Sequence, residues 1–251
     1  MSGILPVELD MIIVATITPD KPCPSVACEV QSALGATTAV AFDVSAGCSS
    51  FLYALSIAND AITTGRVDSV LVIGSERLSS ITNWEDRNTC ILFGDGAGAT
   101  VLTPSTNNNG ILSTHLGAEG SSGNLVYCGE RESNGPGLLA HAKGSPFFLK
   151  MDGNKLFKKA VAYMANVASI AIKESNLCPD DIKLMIPHQA NVRILQAVAK
   201  KLSIPQDKVY TNLEMCGNTS SASVPIAMDE ANRRGILKKG DPVLMVAFGS
   251  G

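Results

Sequence analysis

Apolar runs of strand length alternate with segments of helical periodicity along most of the chain. The runs "DMIIVATI", "TAVAFDVS" and "SVLVIGSE" predict three buried strands. The segments "PSVACEVQSALGA" and "SSFLYALSIANDAITTG", which lie between them, predict helices that end at glycine. Continuous apolar strands separated by helices indicate a largely parallel sheet with both faces covered, so an α/β fold is predicted.

The same alternation returns after an irregular, glycine-containing region. A long helix is predicted from Met151 onward, because apolar residues recur there on one helical face. The runs "IKLMIP" and "PVLMVAF" then predict strands, with the helix "NVRILQAVAKKL" between them. We therefore expect two similar halves.

The predicted division of the chain has three parts. An N-terminal half spans residues 1–118, an irregular connecting region spans residues 119–150, and a C-terminal half spans residues 151–251. In the last of these, "SVPIAMDEANRRG" predicts a helix with Ser223 as its cap and Pro225 in its first turn.

Composition and charge narrow the possible partners. The chain has 251 residues, of which 45% are apolar and 17% charged, and this suits a well-filled globular core. The formal net charge of −3 gives no general basic surface for nucleic acid or an anionic membrane. No apolar run reaches the roughly 18 residues of a membrane span, and no signal sequence is recognised, so a cytoplasmic protein is predicted.

The seven cysteines show no paired C-x-x-C spacing. Neither a disulfide framework nor a zinc site is indicated, and most are predicted to be reduced and buried. Cys48 differs because it lies where the strand "TAVAFDVS" gives way to a helix, after Gly47. First-turn amides and the helix dipole could stabilise a thiolate or an oxyanion there. The alternative is a small residue that fills a tight turn.

His188 and Asn218 are the other candidate chemical groups. His188 ends the strand "IKLMIPH", and ligands collect at the carboxyl ends of parallel strands, although a structural histidine fits equally well. Asn218 lies in the polar loop "EMCGNTSSASVP", where it could serve the turn or donate to a substrate carbonyl. The glycines of "FGDGAGA" precede a strand, so close backbone packing around a turn is favoured over a nucleotide loop.

Basic residues are predicted to cluster near His188. Arg193 and Lys200 are seven residues apart and share a helix face, Lys201 flanks them, and Lys158 begins another helix. A solvated surface is the ordinary explanation. In an acidic protein, the cluster could instead bind an acidic partner or a phosphate.

Together these segments resemble the β-ketoacyl-acyl carrier protein synthase III family of the thiolase superfamily. The similar segments occur in family order along the chain: "FDVSAGCSSFLYAL", "DRNTCILFGDGAGATVL", "MDGNKLFKKAV", "IPHQANVRI", "GNTSSASVPIAMDEA" and "VAFGSG". The resemblance implies a thiolase-like, layered αβαβα fold with two mixed-sheet halves. It also implies an acyltransferase that starts fatty acid synthesis and needs neither a cofactor nor a metal.

The resemblance implies a catalytic set of Cys48, His188 and Asn218. Cys48 would take an acyl group as a thioester, with acetyl-CoA as the expected donor, and its amide would form an oxyanion hole with that of Ser250. His188 and Asn218 would hold the thioester carbonyl of malonyl-acyl carrier protein during its decarboxylation. The implied assembly is a homodimer.

Further positions take roles from the same resemblance. Arg87 would contact coenzyme A, Gly153 and Asn191 would line the pantetheine channel, and Phe93 would form part of the acyl pocket. The acidic carrier protein would dock on the basic cluster of Lys158, Arg193, Lys200 and Lys201.

Two departures from the family are visible. The family's leading segment, with its first strand and helix, and its closing strand have no counterpart, so a chain shortened at both ends is expected, with uncovered sheet edges. A non-catalytic, synthase-like domain is therefore one alternative. A thiolase using Cys216 and a Cys–His–Asn hydrolase are others, but Cys216 lacks the thiolase glycine context.

Overall fold

The computed structural model describes residues 2–105, 109–129 and 147–250, and it contains the predicted strands and helices. The strands in these ranges are β1 (Met11–Ala15), β2 (Val40–Val44), β3 (Val70–Arg77), β4 (Asp95–Leu102), β5 (Val126–Cys128), β6 (Leu149–Met151), β7 (Leu184–Pro187) and β8 (Val243–Val246). The α-helices described are α1 (Val26–Leu34), α2 (Ser50–Thr63), α3 (Gly153–Glu174), α4 (Val192–Lys201), α5 (Leu213–Cys216) and α6 (Ser223–Arg233).

The N-terminal half forms a four-stranded sheet in the order β2-β1-β3-β4. The first three strands are parallel, and Ile13 of β1 pairs with Phe42 on one side and with Val72 on the other. β1 lies in the centre and is buried from its second residue onward. β4 runs antiparallel to β3, so the sheet is mixed rather than wholly parallel.

Two smaller pairings complete the described strands. β7 and β8 are parallel neighbours in the C-terminal half, and β5 and β6 form a short antiparallel pair. Side chains alternate along β7: Leu184 and Ile186 pack toward the N-terminal sheet, whereas Met185 packs toward α3 and α4. Both faces of β7 are thus covered, as its continuous apolar sequence predicts.

Three apolar clusters separate the structure into five layers. α1 packs on the outer face of the first sheet, against Ile12 and Val14. α2 and α6 form the central layer between β1 and β7, with Phe51 of α2 fully buried. α3 and α4 cover the far side of β7 and β8. The predicted αβαβα layering is therefore confirmed.

Glycines let the loop before α6, and α6 itself, lie directly on the first sheet. A Cβ atom on Gly74 of β3 would lie 2.6 Å from the carbonyl oxygen of Ser221, and one on Gly98 of β4 would lie 2.8 Å from the amide nitrogen of Ile226. Close backbone packing at these glycines is confirmed, but Gly96 and Gly98 lie within a strand rather than at a turn. A side chain at position 98 would push the α6 backbone away, whereas one at position 96 would meet the end of the Ile226 side chain.

The seven cysteines are more exposed than the sequence predicts. All seven cysteines are free, but the prediction that most are buried is wrong, because Cys23, Cys28 and Cys178 are exposed and the others are partly exposed. Cys23 and Cys178 lie in connecting segments outside the regular elements, which the sheet does not cover. No helix in the described ranges is both long and apolar enough to cross a bilayer.

Gly98→Ala is expected to destabilise the fold by about 1–3 kcal/mol, because the added methyl group overpacks the α6 backbone. Gly117→Ala is the matched control, since a Cβ at Gly117 would meet nothing within 4 Å. Urea denaturation of both variants measures the difference. Equal stabilities would show that α6 can move away from β4 at little cost.

Candidate active site

Cys48 lies in a tight turn that joins β2 to α2. Gly47 has a φ of +55°, which permits the turn, as the sequence predicts. The Ser50 hydroxyl accepts a hydrogen bond from the Ala46 amide and donates one to the Gly47 carbonyl, each at 2.6 Å. The turn therefore holds Cys48 firmly at the N-terminal end of α2, where the helix dipole favours negative charge.

The Cys48 thiol is protonated at neutral pH. Burial raises its pKa to about 11, the Ser220 hydroxyl beside the sulfur lowers it, and the Glu76 carboxylate raises it further. The residue nevertheless keeps some accessible surface, so a substrate can approach it. The resting state is a thiol that must lose its proton as it attacks.

Gly249 packs its backbone against the nucleophile turn. A Cβ at this position would lie 2.4 Å from the Cys48 amide nitrogen and 3.0 Å from that of Ser49. Only glycine therefore permits this approach. The loop after β8 is thus held beside the amides that face the site, and Ser250, the predicted second oxyanion donor, follows directly.

His188 lies at the carboxyl end of β7 and is buried, with 2% of its surface exposed. Its amide donates to the Val246 carbonyl at 2.7 Å, which continues the pairing with β8. Burial lowers the pKa of the imidazole to about 4, so His188 is neutral at physiological pH. A neutral imidazole donates a hydrogen bond from only one of its nitrogens.

The Ser223 hydroxyl contacts one of the two ring nitrogens of His188. Its Oγ lies 2.7 Å from His188 Nδ1 and also accepts a hydrogen bond from the Gln189 amide at 3.3 Å. The hydroxyl donates its own proton to Nδ1 when the imidazole hydrogen is on Nε2, and in that tautomer Nε2 is the donor.

The prediction that Ser223 caps α6 is wrong. Ala222 occupies the cap position and makes no side-chain cap bond, whereas Ser223 is the first helical residue and turns its hydroxyl to His188. Sequence reasoning missed this role because a serine before a helix fits a cap equally well. The sequence feature that could have indicated this contact was the position of Ser223 only five residues after Asn218.

Asn218 is buried, and its main chain bridges Phe93. Its amide donates to Leu92 and its carbonyl accepts from Gly94, both at 2.9 Å. The side-chain Oδ1 accepts the Ser220 amide at 2.9 Å. Within the described part of the chain Nδ2 makes no hydrogen bond, so it is available to a substrate oxygen.

Two chain segments bring the three predicted catalytic residues together. The loop at 218–223 contains Asn218, reaches the Cys48 sulfur through Ser220 and holds the His188 ring through Ser223. The segment at 246–249 binds the His188 amide at one end and packs on the Cys48 amide at the other. A thiol, a neutral imidazole and a carboxamide thus share one buried site.

The other predicted contact residues lie around this site in different settings. Phe93 packs in a small apolar cluster with Leu78, Ile81 and Leu149, beside Asn218. Asn191 is exposed and uses its Oδ1 to cap α4 through the Arg193 amide.

Arg87 and Gly153 are both exposed. Gly153 begins α3, and a Cβ there would meet only Met151 Cε at 3.9 Å, so packing within this chain does not require glycine. Of the two other histidines, His115 is exposed beside Glu174, and His141 lies outside the described residues.

The four predicted basic residues are all exposed, and we call them together the basic face: Lys158 on α3 and Arg193, Lys200 and Lys201 on α4. None of them forms an ion pair within the described ranges, whereas neighbouring Lys159 pairs with Glu119. α4 begins four residues after His188, so Arg193, at the N-terminal end of this helix, lies near the site.

A groove of about 720 Å³ opens beside the nucleophile turn, and Ser49, Gly249 and Ser250 belong to its lining. It is bounded by the segment 109–120, by α3 and by the edge of β8, and its end reaches Gly249. Cys48, His188 and Asn218 do not line it, so its size does not make it the catalytic site.

Comparison with known proteins identifies the family. The family model of 3-oxoacyl-[acyl-carrier-protein] synthase III matches residues 42–120, and the model of its C-terminal part matches residues 172–251. A β-ketoacyl-[acyl-carrier-protein] synthase III of Caldanaerobacter subterraneus is 50% identical over all of this chain and 76% of its own length. The chain belongs to the 3-oxoacyl-[acyl-carrier-protein] synthase III family.

Solved structures agree with this synthase III assignment. The enzyme of Aquifex aeolicus superposes with a TM-score of 0.91 at 46% identity, covering 98% of this chain and 75% of that one. The priming β-ketosynthase of the R1128 polyketide pathway gives a TM-score of 0.89 at 34% identity, covering 98% and 73%. The chain thus spans about three quarters of the length of these relatives.

His188 of this synthase III chain is expected to make stability depend on pH. The unfolded chain binds the histidine proton near pH 6.5 and the folded chain only near pH 4, so protonation favours unfolding as the pH falls between these values. Relative to His188→Gln, the wild type should lose about 3 kcal/mol between pH 7 and 4, at about 1.4 kcal/mol per pH unit. Denaturant titrations at several pH values measure this, and a constant difference would contradict the burial argument.

Proposed function

We propose that this chain catalyses the decarboxylating condensation of an acyl-CoA primer with malonyl-acyl carrier protein, through Cys48, His188 and Asn218. The observation that supports this most is the shared site in which a thiol at a helix N-terminus adjoins two neutral donors. The products are a 3-oxoacyl-acyl carrier protein, coenzyme A and carbon dioxide. No cofactor takes part, since acyl-CoA is a substrate.

Loading of the primer is the first step. Cys48 Sγ attacks the thioester carbon of acyl-CoA, and the thiol proton passes to the departing coenzyme A sulfur, directly or through water. The carbonyl oxygen becomes negative in the transition state and accepts hydrogen bonds from the Cys48 amide and, we propose, the Ser250 amide. Covalent storage divides a difficult condensation into two easier steps.

Decarboxylation and carbon–carbon bond formation follow. His188 Nε2 and Asn218 Nδ2 donate to the thioester oxygen of malonyl-acyl carrier protein while the bond to the carboxylate breaks and carbon dioxide leaves. The resulting enolate carbon attacks the acyl-Cys48 carbon, the bond to Sγ breaks, and the sulfur takes up a proton from water. Neutral donors suit this step, because they stabilise the developing oxyanion without changing their protonation state.

Single substitutions are expected to impair either the loading step or the decarboxylation step. Cys48→Ala should lose acylation by radiolabelled acetyl-CoA but keep malonyl-acyl carrier protein decarboxylation, whereas His188→Ala should lose decarboxylation by about 100-fold or more. Circular dichroism confirms that each variant is folded. A folded wild-type chain that never becomes acylated at Cys48 would instead support the alternative of a non-catalytic, synthase-like domain.

Substrate contacts extend this proposal to the surface. Arg87 would bind coenzyme A, Gly153 and Asn191 would border the pantetheine channel, and Phe93 would line the acyl pocket. The basic face has exposed positive charge beside the site, which complements an acidic carrier protein. A cytoplasmic homodimer is the form in which we expect the protein to act.

The basic face is expected to recognise the carrier protein rather than the malonyl group. Arg193→Glu combined with Lys200→Glu should raise KM for malonyl-acyl carrier protein about tenfold or more at low salt, with little change for malonyl-CoA. Lys183→Glu is the control, because Lys183 is also exposed but precedes the opposite end of β7. An equal rise in KM for both malonyl substrates would refute carrier recognition by this face.

A further inference from the structure

Glu76 is a buried carboxylate for which the proposed reaction has no direct use. It lies near the carboxyl end of β3, with 5% of its surface exposed. We propose that Glu76 is a positioning residue that holds Ser220, and through it Asn218, in the geometry needed for decarboxylation. This inference rests on the proposed function.

Two chain segments donate hydrogen bonds to the Glu76 carboxylate. From the segment after β1, the Thr18 hydroxyl donates at 2.6 Å, the Ile17 amide at 3.1 Å and the Thr16 hydroxyl at 3.4 Å. From the catalytic loop, the hydroxyls of Ser221 and Ser220 donate at 2.8 and 3.1 Å. Glu76 therefore ties the catalytic loop to the sheet.

No cation accompanies this buried carboxylate. Among the described residues no lysine, arginine or histidine forms an ion pair with Glu76, so its donors are neutral hydroxyls and an amide. Burial of a carboxylate is costly, and five donors offset that cost. A glutamine would offer one acceptor oxygen instead of two, so part of this set would lose its partner.

Ser220 passes this constraint to Asn218. Its φ of +47° is in the left-handed region, which is unfavourable for a serine, so surrounding contacts must hold it there. In this conformation its amide donates to Asn218 Oδ1 at 2.9 Å. The carboxamide is thereby fixed with Nδ2 free for the malonyl thioester oxygen.

Loading of Cys48 depends less on Glu76. The nucleophile turn is held by Ser50 and by the approach of Gly249, which are independent of the catalytic loop. The negative charge of Glu76 also opposes formation of the Cys48 thiolate, so its removal does not hinder loading. The two half-reactions should therefore respond differently to the loss of this charge.

Glu76→Gln tests this difference. Its kcat for malonyl-acyl carrier protein decarboxylation should fall about tenfold or more with KM nearly unchanged, while acetylation of Cys48 by acetyl-CoA should stay within about threefold of wild type. Glu76→Asp, which retains the charge, should recover part of the decarboxylation rate. Ser221→Ala removes a hydrogen bond from the same loop to Glu76, should show the same split, and decides the matter if Glu76→Gln does not fold.

Asp10→Asn is the matched control. Asp10 also accepts hydrogen bonds from two amides and a serine hydroxyl, those of Asp68 and Ser69, but it precedes β1, at the opposite end of the sheet. Its replacement should lower stability while both half-reactions keep their ratio. Equal losses of both half-reactions in Glu76→Gln, or no loss, would overturn the positioning role. A wild type without either half-reaction would refute the proposed function instead.

Discussion

The site depends on one close approach between backbones, in which the loop at 218–223 and the start of α6 lie directly on β3 and β4. Glycines at 74 and 98 make this possible, because a Cβ at either would penetrate the opposing main chain. The approach brings Ser220 and Ser221 within reach of Glu76, and it places Ser223 beside His188. Catalytic geometry in this fold is therefore set by sheet packing, well before any substrate arrives.

The electrostatics of the site follow from the burial of its ionisable groups. Burial disfavours the charged forms of both Cys48 and His188, so the resting pair is a thiol and a neutral imidazole rather than an ion pair. Negative charge arises only on substrate oxygens during the reaction, and fixed neutral donors in a buried site stabilise it strongly. Glu76, whose charge acts on Cys48, is surrounded by donors, so its field is partly offset where the oxyanions form.

Hydrophobic patterning predicted most of the fold, because buried strands and amphipathic helices produce clear periods in the sequence. The catalytic residues were harder to predict, since Cys48, His188 and Asn218 each have an ordinary structural explanation. Only the family resemblance indicated that they act in one site. The role of Ser223 could not be predicted, because its partner is 35 residues away in the chain and a helix cap explains the same serine. The role of Glu76 could not be predicted from the sequence either, since a glutamate at a strand end normally faces solvent.

The two halves contribute unequally to the two half-reactions. The N-terminal half supplies the nucleophile, its turn and the Glu76 carboxylate, whereas His188 and Asn218 belong to the C-terminal half. Any shift of one half against the other would therefore separate the acyl-cysteine from the enolate carbon, while leaving the Cys48 turn, which Ser50 closes locally, intact. Loading draws on the C-terminal half through the approach of Gly249 and the proposed Ser250 amide, whereas decarboxylation and carbon–carbon bond formation need two catalytic side chains from that half.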